Sequence, residues 1–259
     1  MAAPQNDKAP LVAFTLDFET GDLKCQTGAC TQISIHATRL DTFEKLGSYT
    51  SYVYPYDQKE IAGVGKKRKV LKSKFEEPQA TPMVYSDKAL TYSAITMDML
   101  YSQGLPIEQV AKEVVQFIID HTPKCSKSMK PFLIGQNIGF DEGFFCQMME
   151  YAGLIEEVKK YLRGHEDFYG HWHPLCLDTI VLGQLALCHL PNIDSYKLEI
   201  MCEHLGIELD DAHDADADVS ATTNVAAVLT QRMRSVGGEI EGGPLEMSKA
   251  EKSRKHFKI

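Results

Sequence analysis

The chain has 259 residues, 44% apolar and 24% charged, with a formal net charge of −9. That length can bury a full core, and the acidic balance excludes attachment to nucleic acid by overall basicity alone. No apolar run approaches the about 18 residues of a membrane span, MAAPQNDKAP lacks the apolar core of a secretory signal, and seven irregularly spaced cysteines fit reduced thiols, so an intracellular, cytoplasmic protein with no membrane partner is expected, nuclear if the host is eukaryotic.

Residues 11–17 (LVAFTLD) read as a first strand. Residues 31–39 and 46–54 alternate and are rich in β-branched and aromatic residues, so they read as two more strands of an antiparallel meander. Residues 59–90 are polar and read as an irregular insertion with a basic cluster, GKKRKVLKSK, at 65–74. That cluster is either a phosphate-contacting patch, a nuclear address or a solvated loop. Pro106 opens a helix whose apolar residues Ile107, Val110, Val114, Phe117 and Ile118 recur at helical spacing.

PFLIGQN (131–137) is a short apolar strand, and FDEGFFCQMMEYAG a helix ending near Gly153. Residues 163–174 read as a polar, aromatic loop. Its histidines and Cys176 are a zinc candidate that lacks a paired C-x-x-C. LCLDTIVLGQLALC runs from strand into helix, with Asp178 at the turn, and SYKLEIMCEHLG is a helix stopped by Gly206. A last long helix runs from His213 to about Met233, followed by a tail, 236–259, read as mobile. Strands first, then helices alternating with strands, predict one α/β domain over 1–235 with a mixed sheet.

The stretch FTLDFETGDL carries the chemistry. Residues i and i+2 of a strand share a face, so Asp17 and Glu19 project together while Leu16 and Phe18 face away. Adjacent carboxylates repel unless a cation lies between them. Asp141 follows the strand PFLIGQN at the start of a helix. In HDADADVSATT, Asp218, Thr222, Val225 and Leu229 form one helix face, so Asp218 points to the core. Asp214 competes for that face, and Asp216 reads as a solvent acid. Four acids from three segments, with His213 nearby, suit Mg²⁺ or Mn²⁺ over Zn²⁺. Two such ions make the clamp used for displacement at phosphorus, with a histidine as proton acceptor.

The order Asp17-x-Glu19, Asn137-x-x-Phe140-Asp141 and His213-x-Ala215-x-x-Asp218 resembles the DEDDh 3′–5′ exonucleases, which include polymerase proofreading subunits and ribonuclease T. The resemblance also covers Leu177-Asp178-Thr179 and Lys197 to Ile207, and spans roughly residues 11 to 232. It implies an α/β, ribonuclease H-like fold with a mixed central sheet flanked by helices. It implies that Asp17, Glu19, Asp141 and Asp218 bind two Mg²⁺ or Mn²⁺, which selects Asp218 over Asp214, and that His213 is the general base. Thr20, Gly21, Phe18 and Asn137 become substrate-contacting candidates; for Phe18 a core position is the stronger reading. Gln136-Asn137 departs from the family's His-Asn, and Gly21 follows Thr20 directly where many members have a second Thr. The expected partners are single-stranded nucleic acid 3′ ends and a polymerase or other replication or repair protein. The implied activity is exonucleolytic release of nucleoside 5′-monophosphates, with DNA favoured. The competing readings are an RNA or oligoribonucleotide trimmer and a non-catalytic nucleic-acid-binding or polymerase-associated protein.

Overall fold

A computed structural model describes residues 11–59, 81–124, 129–209 and 214–238. The basic cluster at 65–74, most of the insertion at 59–90, His213 and nearly all of the tail lie outside the described residues.

The chain begins with β1 (Val12–Thr20), β2 (Cys30–Arg39) and β3 (Lys45–Tyr52), the antiparallel meander expected from their alternation. Two short helices, α1 (Asp87–Tyr92) and α2 (Met97–Gln103), start at Ser86 and Thr96. The hydroxyl of each accepts from an amide three residues on, which supplies a helix-starting bond without any long apolar stripe. Neither helix was visible as periodicity, because each is too short to show it. α3 (Ile107–His121), β4 (Phe132–Gly135) and α4 (Gly139–Ala152) follow, with Gly153 left-handed at the end of α4. After α5 (Ile155–Val158) the segment read as a loop is instead a hairpin, β5 (Gly164–Glu166) and β6 (Trp172–Pro174). Its turn is built by Asp167, whose carboxylate accepts from the amides of Tyr169 and His171 at 2.8 Å each, a local bond that a composition reading passes over. β7 (Cys176–Asp178), α6 (Thr179–Leu187), α7 (Leu198–Leu205) and α8 (Ala215–Gly238) complete the order. α8 runs past Met233, because Arg234 bonds the carbonyls of Leu40 and Asp41 and lies over the Phe43 ring.

The five-stranded sheet has the order β3-β2-β1-β4-β7, with β4 and β7 parallel to β1 and to each other. Period-two alternation splits β1 between two environments. Phe14, Leu16 and Phe18 enter a core with α3 and α4, where Phe144, Phe145 and Met148 are fully enclosed. Ala13 lies on the other face, in a second cluster with Leu182, Met201, Val225 and Leu229 from α6, α7 and α8. This is the mixed α/β sheet flanked by helices that the sequence predicts. Among the described residues no helix is long and apolar enough to cross a membrane.

Replacing Phe144 by Ala empties a fully enclosed site under β1. The expected cost is about 3–5 kcal/mol, read as a lower midpoint in urea unfolding with an unchanged slope.

Candidate active site

β1 carries Asp17 and Glu19 to the same face, and α8 brings Asp218 down onto it. One carboxylate oxygen from each of Asp17, Glu19 and Asp218 lies within 4.8 Å of the others. Asp141 enters from the first turn of α4, only 3% exposed, and its Oδ1 accepts from the Phe18 amide at 3.1 Å. The ladder between β1 and β2 breaks register between Glu19 and Thr20, so the regular strand ends immediately after the second acid.

These four acids form part of the lining of a cleft of about 1140 Å³. Its described lining holds seven carboxylates (Asp17, Glu19, Asp22, Asp87, Asp141, Glu199 and Asp218) against two lysines, Lys88 and Lys197. Burial first, and neighbouring carboxylates second, leave their mark on the acids. Burial, then Asp218 and Asp214, push Asp17 up to about 7. Burial, then Asp17, Asp218 and Asp214, push Glu19 up to about 8. Burial and Asp17 hold Asp141 well above the usual carboxylate range, against the lowering bond from Phe18. Hard oxygen donors crowded in a field they cannot neutralise themselves fit a divalent cation of the Mg²⁺ or Mn²⁺ kind.

The remaining sequence candidates divide. Phe18 is almost wholly enclosed, 6.5 Å from the Phe144 ring, yet it lines the cleft. Thr20 lines it too, with its hydroxyl donating to the Asp22 carbonyl at 3.1 Å. Asn137 lines it with φ +55°, and its amide donates to Asp178 Oδ1 at 3.1 Å. Asp178 also caps α6 through the Ile180 amide, the structural role expected of it. Gly21 is absent from the cleft lining. Its carbonyl accepts from the Ser86 amide at 2.8 Å, and a Cβ there would fall on the Val84 carbonyl oxygen, so the close approach it permits is to the chain's own segment before α1. Asp214 bonds Gln32 at 3.2 Å and the Ala217 amide at 3.4 Å, at the head of α8. Asp216, read as a solvent acid, has a half-exposed side chain but bonds Ser34, His36 and Thr50 of the sheet. The zinc candidate does not form among the described residues, because His173 faces Glu142 and Asp167 instead, at 2.7 and 3.7 Å.

Several lining residues had no part in the sequence reading. Lys88, Thr91 and Tyr92 come from α1, and Leu23 from the turn after β1. Burial, then Glu199, Glu19 and Asp218, push the Tyr92 phenol up, which keeps it a neutral hydrogen donor. Lys197, Leu198 and Glu199, by contrast, lie inside the Lys197 to Ile207 stretch that the resemblance covers.

No family model matches the chain. Solved structures do. E. coli exonuclease I in complex with a dT13 oligonucleotide superposes with a TM-score of 0.58 at 18% identity, covering 88% of this chain and 42% of that one. A moderately thermophilic exonuclease I from Methylocaldum szegediense gives 0.56 at 19%, covering 87% and 41%. A product-bound exonuclease I gives 0.58 at 16%, covering 88% and 45%. The chain has the fold of exonuclease I. It spans less than half the length of these structures, and at this identity the likeness is one of architecture.

The raised acids have a measurable consequence in metal-free buffer. A carboxyl with a folded pKa above its unfolded one stabilises most below the unfolded value and loses that contribution as pH rises through the folded value. For Asp17 and Glu19 the window runs from their ordinary values of 3.8 and 4.5 to about 7 and 8. In EDTA the melting temperature therefore falls from pH 5 to pH 8.5. The Asp17→Asn, Glu19→Gln double variant flattens that fall, and Mg²⁺ added at pH 8 raises the wild-type melting temperature.

Proposed function

We propose that the chain is a metal-dependent 3′–5′ exonuclease of the DEDDh type acting on single-stranded ends. The observation that carries this reading is the meeting of Asp17, Glu19 and Asp218 within 4.8 Å, beside Asp141, in a cleft whose lining adds apolar side chains and two lysines. Asp17, Glu19, Asp141 and Asp218 would hold two Mg²⁺ or Mn²⁺ ions, which when bound supply a more acidic water and charge stabilisation for a departing oxygen.

The chain's own residues do the rest. His213, which the motif places five residues before Asp218, accepts a proton from the attacking water. The water oxygen bonds to the terminal phosphorus, and the bond from phosphorus to the 3′ oxygen of the penultimate nucleotide breaks. That oxygen takes a proton from solvent. The products are a nucleoside 5′-monophosphate and a strand one nucleotide shorter with a free 3′ hydroxyl. Lys88 and Lys197 offer positive charge for phosphates on a rim that the acids would otherwise make repulsive. Leu23, 82% exposed, and Tyr92, 64% exposed, present apolar surface on which a splayed base can rest. Both features favour a single strand over a duplex. The oligonucleotide carried by the exonuclease I structure supports DNA as the favoured substrate, with RNA ends the alternative.

One domain, 1–235, carries the activity, with 59–90 as its insertion and 236–259 as a tail. The protein works in the cytoplasm, and by the resemblance a polymerase or repair complex is the partner that would present such ends.

A 5′-labelled single-stranded oligonucleotide should shorten stepwise with Mg²⁺ or Mn²⁺ and not in EDTA. Asp17→Ala should abolish the shortening and His213→Ala should slow it by about 10²-fold or more. Matched single-stranded DNA, duplex DNA and RNA rank the substrates. Undiminished cleavage by Asp17→Ala would reject the assignment.

A further inference from the structure

The sheet face under the start of α8 is polar where a helix and a sheet usually meet through apolar side chains. Ser34 and His36 from β2 are buried there, with Thr50 beside them on β3. One oxygen of Asp216 gathers all three: His36 Nε2 at 2.7 Å, Ser34 Oγ at 3.0 Å and Thr50 Oγ1 at 3.2 Å. His36 must donate through Nε2, because a carboxylate oxygen only accepts. Ser34 and Thr50 lie 2.9 Å apart, so either hydroxyl could turn its one proton to the other in place of Asp216. Asp214 is held beside them by Gln32.

The register gives this grip its meaning. Ser34 is the cross-strand partner of Asp17, and Gln32 is the cross-strand partner of Glu19. Two of the four residues that hold the head of α8 therefore sit on the same rungs as the two acids that Asp218 must meet. An apolar helix–sheet contact tolerates a small slide with little loss. Three donors converging on one oxygen do not, because a slip of one residue turns a helix by about 100° and breaks all three bonds. The same slip would swing Asp218 away from Asp17.

From this geometry we infer that Asp216 is a positioning residue: its grip on Ser34, His36 and Thr50 sets the rotation of α8 that delivers Asp218 to the metal-binding acids. The inference rests on the metal-dependent reading of the cleft. Asp216 touches neither substrate nor metal in this scheme.

The test compares wild type, Asp216→Ala, Asp216→Asn and Thr50→Ala. Mn²⁺ affinity is read by titration calorimetry without substrate, and melting temperature is measured in EDTA. Asp216→Ala should weaken Mn²⁺ by about tenfold or more. Asp216→Asn keeps an acceptor oxygen for Ser34 and Thr50 and should stay within about threefold of wild type. Thr50→Ala removes one donor and should fall between, which keeps the test alive if Asp216→Ala does not fold. A merely structural residue would lower the melting temperature and leave Mn²⁺ affinity unchanged, and that result overturns the inference. So does equal weakening in Asp216→Ala and Asp216→Asn, which would assign the effect to lost charge. Absence of Mn²⁺ binding in wild type would bring down the metal-dependent reading and this inference together, whereas binding by wild type that Asp216→Ala leaves intact removes the inference alone.

Discussion

Asp17, Glu19 and Asp218 bring three carboxylate oxygens within 4.8 Å of one another, with Asp141 buried beside them. Carboxylates buried together in a partly enclosed cleft are costly to ionise, and the raised acids record both causes, burial first and the neighbouring acids second. Nothing about the acids themselves holds them together. The scaffold has to do it, and most of its particular features can be understood as answers to that one requirement.

The first answer is the two-faced strand. β1 turns Phe14, Leu16 and Phe18 into the apolar core against α3 and α4, which anchors the strand firmly enough to present Asp17 and Glu19 on its other side. The Phe18 amide, beyond the last rung that β1 shares with β4, donates to Asp141 and ties α4 to the same strand. The core side of the strand thus stabilises, while the opposite side is left to chemistry. β2 continues the division, with Ile33 and Ile35 in the core and Gln32, Ser34 and His36 on the face under α8.

The second answer is the wall opposite the acids. The amide of Ser86 bonds the Gly21 carbonyl, and the absence of a side chain at Gly21 lets the segment before α1 come close enough to do so. This docking sets Lys88, Thr91 and Tyr92 along the cleft that β1, α4 and α8 floor. Lys197 and Glu199 close it from α7. A cleft assembled from stretches far apart in the chain has a chemistry that no one stretch carries: an acidic floor, a small cationic component and an apolar, neutral-donor rim. The exonuclease I structures share the architecture at less than 20% identity, so what is held in common is the frame on which such a cleft can be built.

The sequence by itself determined the meander, the helices with a long apolar stripe and the pairing of Asp17 with Glu19 on one face, because periodicity and strand alternation are local properties of the chain. It also placed Asp218 at the head of a core-facing stripe, where Thr222, Val225 and Leu229 are now enclosed. It did not reveal α1 and α2, which are too short to show a period, nor the hairpin at 164–174, whose turn depends on the two amides that Asp167 accepts. Nor did it reveal the grip of β2 and β3 on Asp216, or the place of Lys88 and Tyr92 on the cleft wall. Those facts were decided only by tertiary structure, since they join residues far apart in the chain. The partners of Asp216 lie about 165 to 180 positions away, and no local pattern encodes a contact at that separation.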